Sequence, residues 1–164
     1  MKNSNIFDKV VPVFLVLLIL VYPLIFVFIG GDLTDAGYHA VNYTYFNEML
    51  FEGNPNVYKT LLTNIIGNAW MFLFPNLGLF GLKILWLAFF YASIFMLFLI
   101  LNPLIKNYNY LLFFILTAEI FGTRLTNFIF NYDICSWFFL TFTVYFSIAG
   151  LNKNKYSFFI LAAA

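Results

Sequence analysis

The sequence predicts an all-α, polytopic transmembrane protein, and three observations predict it. Hydrophobic residues make up 63% of the 164-residue chain and charged residues 9%, where soluble domains average about 25% charged. Mean hydropathy is +0.91, and the apolar residues gather into runs close to the ~20 residues that carry a helix across a ~30 Å hydrocarbon core. Most of the lysines lie between those runs, where basic residues report orientation. A net charge of +1 gives no electrostatic case for a nucleic-acid partner. The single cysteine, Cys135, excludes an intramolecular disulfide framework.

A first span is expected over about 10–29, behind the polar head MKNSNIFDK. Lys2 and Lys9 ahead of an apolar run also suit a secretory signal. The run is long, however, holds Pro12 and Pro23, and ends in GGDLTD without a small-x-small cleavage site, which favours a retained helix. An external loop, 30–78, follows, and it carries four of the seven acidic residues, Asp32, Asp35, Glu48 and Glu52, with the only histidine, His39. Gly30 and Gly31 loosen the backbone, and a side-chain oxygen of Asp32 or Thr34 can cap the helix that starts there. That helix is predicted from Leu33 to Phe51, ended by Gly53-Asn54-Pro55. On it Asp35 and His39 share a face, as do Tyr38, Asn42 and Tyr45.

From Thr60 to Phe74 the pattern mixes Asn64, Asn68 and Trp70 with apolar residues. At ~1.5 Å per residue this stretch reaches about 22 Å. That is short for a crossing, so an interfacial or re-entrant helix is predicted, broken at Pro75-Asn76-Leu77-Gly78. Further spans are expected over about 79–101, 110–130 and 134–151, with turns at Asn102 to Asn109 and at Asn131-Tyr132-Asp133. The last residues, 156–164, begin another apolar segment far short of a crossing. About four complete spans and a truncated fifth are therefore expected, as in the N-terminal portion of a longer module. Lys2, Lys9, Lys106, Lys153 and Lys155 fall on one side of these spans, and in the acidic loop only Lys59 precedes the membrane. The N-terminus is then cytoplasmic and the loop external.

Asp35-Ala36-Gly37-Tyr38-His39 early in the first external loop, Glu52-Gly53-Asn54-Pro55 downstream, and an amphipathic segment before the second span together resemble the GT-C glycosyltransferases. Those include protein mannosyltransferases and the aminoarabinose transferase of lipid A, and the resemblance covers roughly residues 10–151. It implies a polyprenyl-phosphate-linked sugar donor, a lipid or protein acceptor on the external face, and the inner membrane of a bacterium as location. Many family members follow the first acid with a second, where this chain has Ala36.

The resemblance puts a general base, or a group positioning the acceptor, at Asp35. The chemistry asks for such a group independently, because an acceptor hydroxyl or amine loses a proton as it attacks the anomeric carbon. The plainer reading of Asp35 is an anion favoured in the first turn of a helix. Asp32 has the same two readings, with capping foremost. No cofactor is required, although Asp32 and Asp35 together offer oxygen ligands for a divalent cation. His39 can orient Asp35 or meet a phosphate when charged, or make one local hydrogen bond. Lys83, one turn inside the second span, can meet the donor phosphate as a point charge or snorkel to the head groups. Arg124 is a second candidate for the phosphate. Glu119 is the ionisable residue placed deepest in a span, a costly position that marks a site, a pathway or an inter-helix partner. Five positions apart, Glu119 and Arg124 diverge by about 140° on a helix. Asp133, beside Tyr132, is either a solvated turn residue or a polar group facing the substrate cavity. If instead Glu119 lies on a substrate or proton path, the chain belongs to a transporter or flippase.

Overall fold

In the computed structural model, which describes residues 6–29, 33–125, 128–153 and 156–163, every regular element among the described residues is helical. Helix α1 (Ile6–Phe28) is followed by four short helices, α2 (Leu33–Thr44), α3 (Phe46–Phe51), α4 (Pro55–Lys59) and α5 (Leu61–Leu73). A 3₁₀ turn, Pro75–Leu77, leads into α6 (Gly78–Leu101), and α7 (Tyr108–Leu125), α8 (Tyr132–Lys153) and α9 (Tyr156–Ala163) complete the order. Three stretches are long and apolar enough to cross a membrane: Lys9–Phe28, Pro75–Leu101 and Tyr132–Asn152. The apolar part of α7, Tyr108–Thr123, is shorter.

Packing divides these helices into two pairs with α6 common to both sides. Helix α6 lies most extensively against α8, and α1 against α7, with α6 also touching α1 and α7. Leu15 and Ile19, four apart on α1, are buried, while Phe14, Leu17 and Val21 on its other faces are exposed. An apolar helix with one covered stripe and an open opposite side is built for a lipid surround, where close packing rather than exclusion of water holds helices together.

The predicted helix from Leu33 to Phe51 is divided at Tyr45, whose ψ of 23° departs from the helical value. The hydroxyl of Thr44 donates to the carbonyl of Ala40 (2.8 Å), a back-bond that bends helices. Its end is as the sequence indicated. Gly53 has φ +71°, its N–H donates to the carbonyl of Leu50 (3.2 Å) and that of Asn54 to the carbonyl of Met49 (3.0 Å), the paired bonds of a Schellman cap. The expected interfacial segment is α5, with boundaries close to those predicted.

The expected third span is the larger departure. Helix α7 ends at Leu125, and residues 128–131 are not helical. Two things explain it. Asn131 accepts from the backbone N–H of Ile134 through its side chain (3.2 Å) and from that of Cys135 through its carbonyl (3.2 Å), so it is the N-cap of α8. Tyr132 and Asp133 are therefore helical and not part of a turn. The segment before the cap is also held, because Phe130 donates its backbone N–H to the carbonyl of Leu82 (3.2 Å). Its side chains fill the space between helices: Phe128 stacks on Phe26 (4.2 Å between centroids) and meets Trp86 edge-on (5.7 Å), and Phe130 meets Phe89 (4.9 Å). Trp86, Phe90 and Phe130 are fully buried.

Candidate functional site

The short helices between α1 and α6 are folded down onto the bundle, and Tyr43 is the clasp. Its hydroxyl donates to the carbonyl of Phe130 (2.8 Å), and its own carbonyl accepts from Asn68 Nδ2 on α5 (2.7 Å). Burial pushes the phenol well above the ordinary tyrosine range, so it remains a donor. The ring lies flat against Gly67 of α5, where a Cβ would come within 2.6 Å of its carbons. Only glycine allows that approach. Helix α2 is thereby fixed over the 128–131 segment and the start of α8.

One turn ahead of Tyr43, His39 is buried and ringed by tyrosines. Its centroid is 5.5 Å from Tyr38, 5.9 Å from Tyr43 and 6.0 Å from Tyr132. The Tyr43 oxygen is 3.5 Å from His39 Nδ1. Since the Tyr43 proton goes to Phe130, that oxygen can only accept in this contact, which calls for a proton on Nδ1. Tyr38 and Tyr132 are half exposed, so the ring of side chains opens outward. His39, Tyr38 and the first turn of α8 are thus brought together. Asp133, in that turn, accepts from Asn131 Nδ2 (3.3 Å) at the positive end of the helix dipole.

The remaining candidates are elsewhere. Lys83 points across to α1, donating to the carbonyl of Val27 (3.2 Å) and to that of Ile29. It caps the C-terminal end of α1, where carbonyls lack intrahelical partners and the dipole favours a cation. Glu119 is completely buried in α7, and neither carboxyl oxygen meets a hydrogen-bond partner among the described residues. One turn on, Tyr22 of α1 reaches Thr123 Oγ1 (3.1 Å). Thr123 gives its own proton to the carbonyl of Ile120 (3.0 Å), so Tyr22 is the donor. Asp32 lies outside the described residues. Asp35 falls in α2 one turn before His39, and Arg124 in the last turn of α7, with the side chains of both outside the described part. Among the described residues no three His, Cys, Asp or Glu side chains converge on a metal-sized site.

No protein-family model, curated protein or solved structure matches this chain.

Two cavities flank these groups. An apolar one of about 460 Å³ lies between α1, α6 and α7, lined by Ile19, Leu20, Tyr91, Ile94 and Ile115 among others. Tyr91 donates to the carbonyl of Leu20, in the turn of α1 that Pro23 loosens by lacking an N–H. The other, of about 380 Å³, lies between the α4–α5 junction and the first two turns of α8, with Lys59, Thr60, Thr63, Tyr132 and Ser136 in its lining. Sequence reasoning missed this second cavity. Tyr132, Cys135, Ser136 and Phe139 follow the i, i+3, i+4, i+7 spacing of one helix face, but a face in an apolar span gives no sign of which loop covers it.

Proposed function

We propose that this chain belongs to a membrane glycosyltransferase that moves a sugar from a polyprenyl-phosphate donor to a lipid or protein acceptor on the external face of a bacterial inner membrane. The observation that carries the reading is the folding of the first loop onto the helix ends. His39 of α2, with Tyr38 against it, meets Tyr132 of α8, the neighbour of Asp133 in sequence, where a helix of membrane-crossing length begins. A substrate with an apolar tail and a polar head reacts at such a boundary. In this reading α7 is a further crossing, since its 18 residues extend about 27 Å. The N-terminus is cytoplasmic.

In the proposed reaction Asp35 or Asp32 takes the proton of the acceptor hydroxyl as its oxygen attacks the anomeric carbon. The bond from that carbon to the phosphate oxygen breaks, and polyprenyl phosphate leaves with the electron pair. Tyr38 and His39 border the acceptor. Arg124, or the N–H of Lys83 not directed at α1, meets the phosphate. A second reading, transport, is favoured by one observation: the buried carboxyl of Glu119, which has no hydrogen-bond partner among the described residues and needs either a proton or a cation to be tolerated there.

The test is transfer from a radiolabelled polyprenyl-phosphate sugar pool in membranes carrying the protein. Asp35→Asn is expected to lower transfer by about 10²-fold or more, the scale of a general base, at unchanged expression, while Glu119→Gln leaves it within a few-fold. Activity indifferent to Asp35→Asn removes the assignment, and loss only with Glu119→Gln moves it to transport.

A further inference from the structure

The cavity between α5 and α8 is built like an anion site. Lys59, the last residue of α4, is in its lining, and Tyr132 and Ser136 line the α8 side. Thr63 and Cys135, both buried, also belong to the lining. Thr60 accepts from Asn64 Nδ2 (3.1 Å), which fixes the first turn of α5. Among the described residues no carboxylate lines the cavity. The nearest acid in sequence, Asp133, is held by Asn131. The apolar members of the lining, Leu61, Leu62 and Phe139, complete it, with Leu61 39% and Leu62 51% exposed. One cation, two hydroxyl donors and an adjoining apolar lip suit a ligand with an anionic head and a hydrocarbon body. Its volume of about 380 Å³ falls in the range of small-molecule sites.

We infer that this cavity binds the phosphate group of a membrane lipid, with Lys59 as its counter-ion, Tyr132 and Ser136 as hydrogen-bond donors, and Leu61, Leu62 and Phe139 against the first carbons of the acyl chain. A phosphate oxygen accepts charge-assisted bonds from an ammonium and from hydroxyls together, a combination that a neutral head group does not repay. The site is separate from the ring of tyrosines around His39 except for Tyr132, which belongs to both. It does not depend on whether the chain transfers sugar.

Native mass spectrometry of the purified full chain in detergent tests it, by counting retained phosphatidylglycerol against diacylglycerol, which has no phosphate, with inorganic phosphate as competitor. Phosphatidylglycerol is expected to be retained and diacylglycerol not. Lys59→Gln weakens retention about tenfold, the equivalent of ~1.4 kcal/mol, Lys59→Arg holds it within about threefold, and Ser136→Leu, which fills the cavity, weakens it as much as Lys59→Gln. Lys106→Gln, outside the cavity, changes nothing. Displacement by inorganic phosphate supports a site that reads phosphate from any source, and resistance to it together with Lys59 dependence supports the lipid as source. Equal retention by wild type, Lys59→Gln and Ser136→Leu, or equal retention of diacylglycerol, overturns the inference.

Discussion

Tyr43 joins the loop to the bundle through a single proton. Replacing it with Phe keeps the ring against Gly67 and removes only the hydroxyl, leaving the carbonyl of Phe130 buried without that donor. An unsatisfied buried acceptor costs about 1–3 kcal/mol, so Tyr43→Phe is expected to lower the thermal midpoint in detergent and to speed proteolysis within residues 46–60, while the helical circular dichroism of the folded form is unchanged. A midpoint equal to wild type would show that the clasp is the ring alone. At this scale the sequence was only half legible. Asp35 and His39 stand out because they are rare residue types in an apolar chain. Tyr43 does not, being one of 11 tyrosines whose buried partner is a backbone atom 87 positions away. Lys83 shows the opposite difficulty. Its position near the end of a span is plain, but whether its ammonium meets a phosphate, water or the carbonyls of a neighbouring helix depends on where α1 ends in space.

Among the elements, α2 and α5 meet across Gly67, and that contact makes a sharp prediction. A methyl group there would overlap carbons of the Tyr43 ring at 2.6 Å. Overpacking of this kind costs about 1–3 kcal/mol, so Gly67→Ala should destabilise the protein although alanine is the better helix former. In a double-mutant cycle the penalty is expected to shrink when Tyr43 is also replaced by Ala, because the two residues touch. Additive costs would place the strain elsewhere. Element boundaries marked by turn chemistry were readable from sequence: Gly53-Asn54-Pro55 ends α3, and Pro75 precedes α6. The stretch 128–131 was not. Its Phe-Ile-Phe run continues the apolar pattern of α7, and composition alone cannot tell a continuing helix from a plug of phenylalanines between helices. Asn131 two residues before Asp133 was the available signal, an N-cap followed by an acid in the first turn.

For the whole molecule, membrane character follows from hydropathy and survives in the helices of crossing length, and orientation is a proposal that labelling can decide. In a Cys135→Ser background, cysteine placed at exposed Tyr58, in the loop, should react in intact cells with a maleimide that cannot cross membranes. Cysteine at exposed Leu104, in the turn between α6 and α7, should react only after the cells are opened. The reverse pattern would invert the proposed topology.

The clasp also imposes an order on synthesis. Tyr43 leaves the ribosome well before Phe130, and at 5–20 residues per second the separation of 87 positions takes roughly 4 to 17 s to make. Through that interval α2 has a completed α1 behind it and, later, α5 and α6 beside it, but nothing to receive its phenol. The loop that Tyr43 clasps is therefore among the last parts to be secured, and a nascent chain paused before residue 130 presents α2 through α5 to whatever chaperone or protease works at that surface.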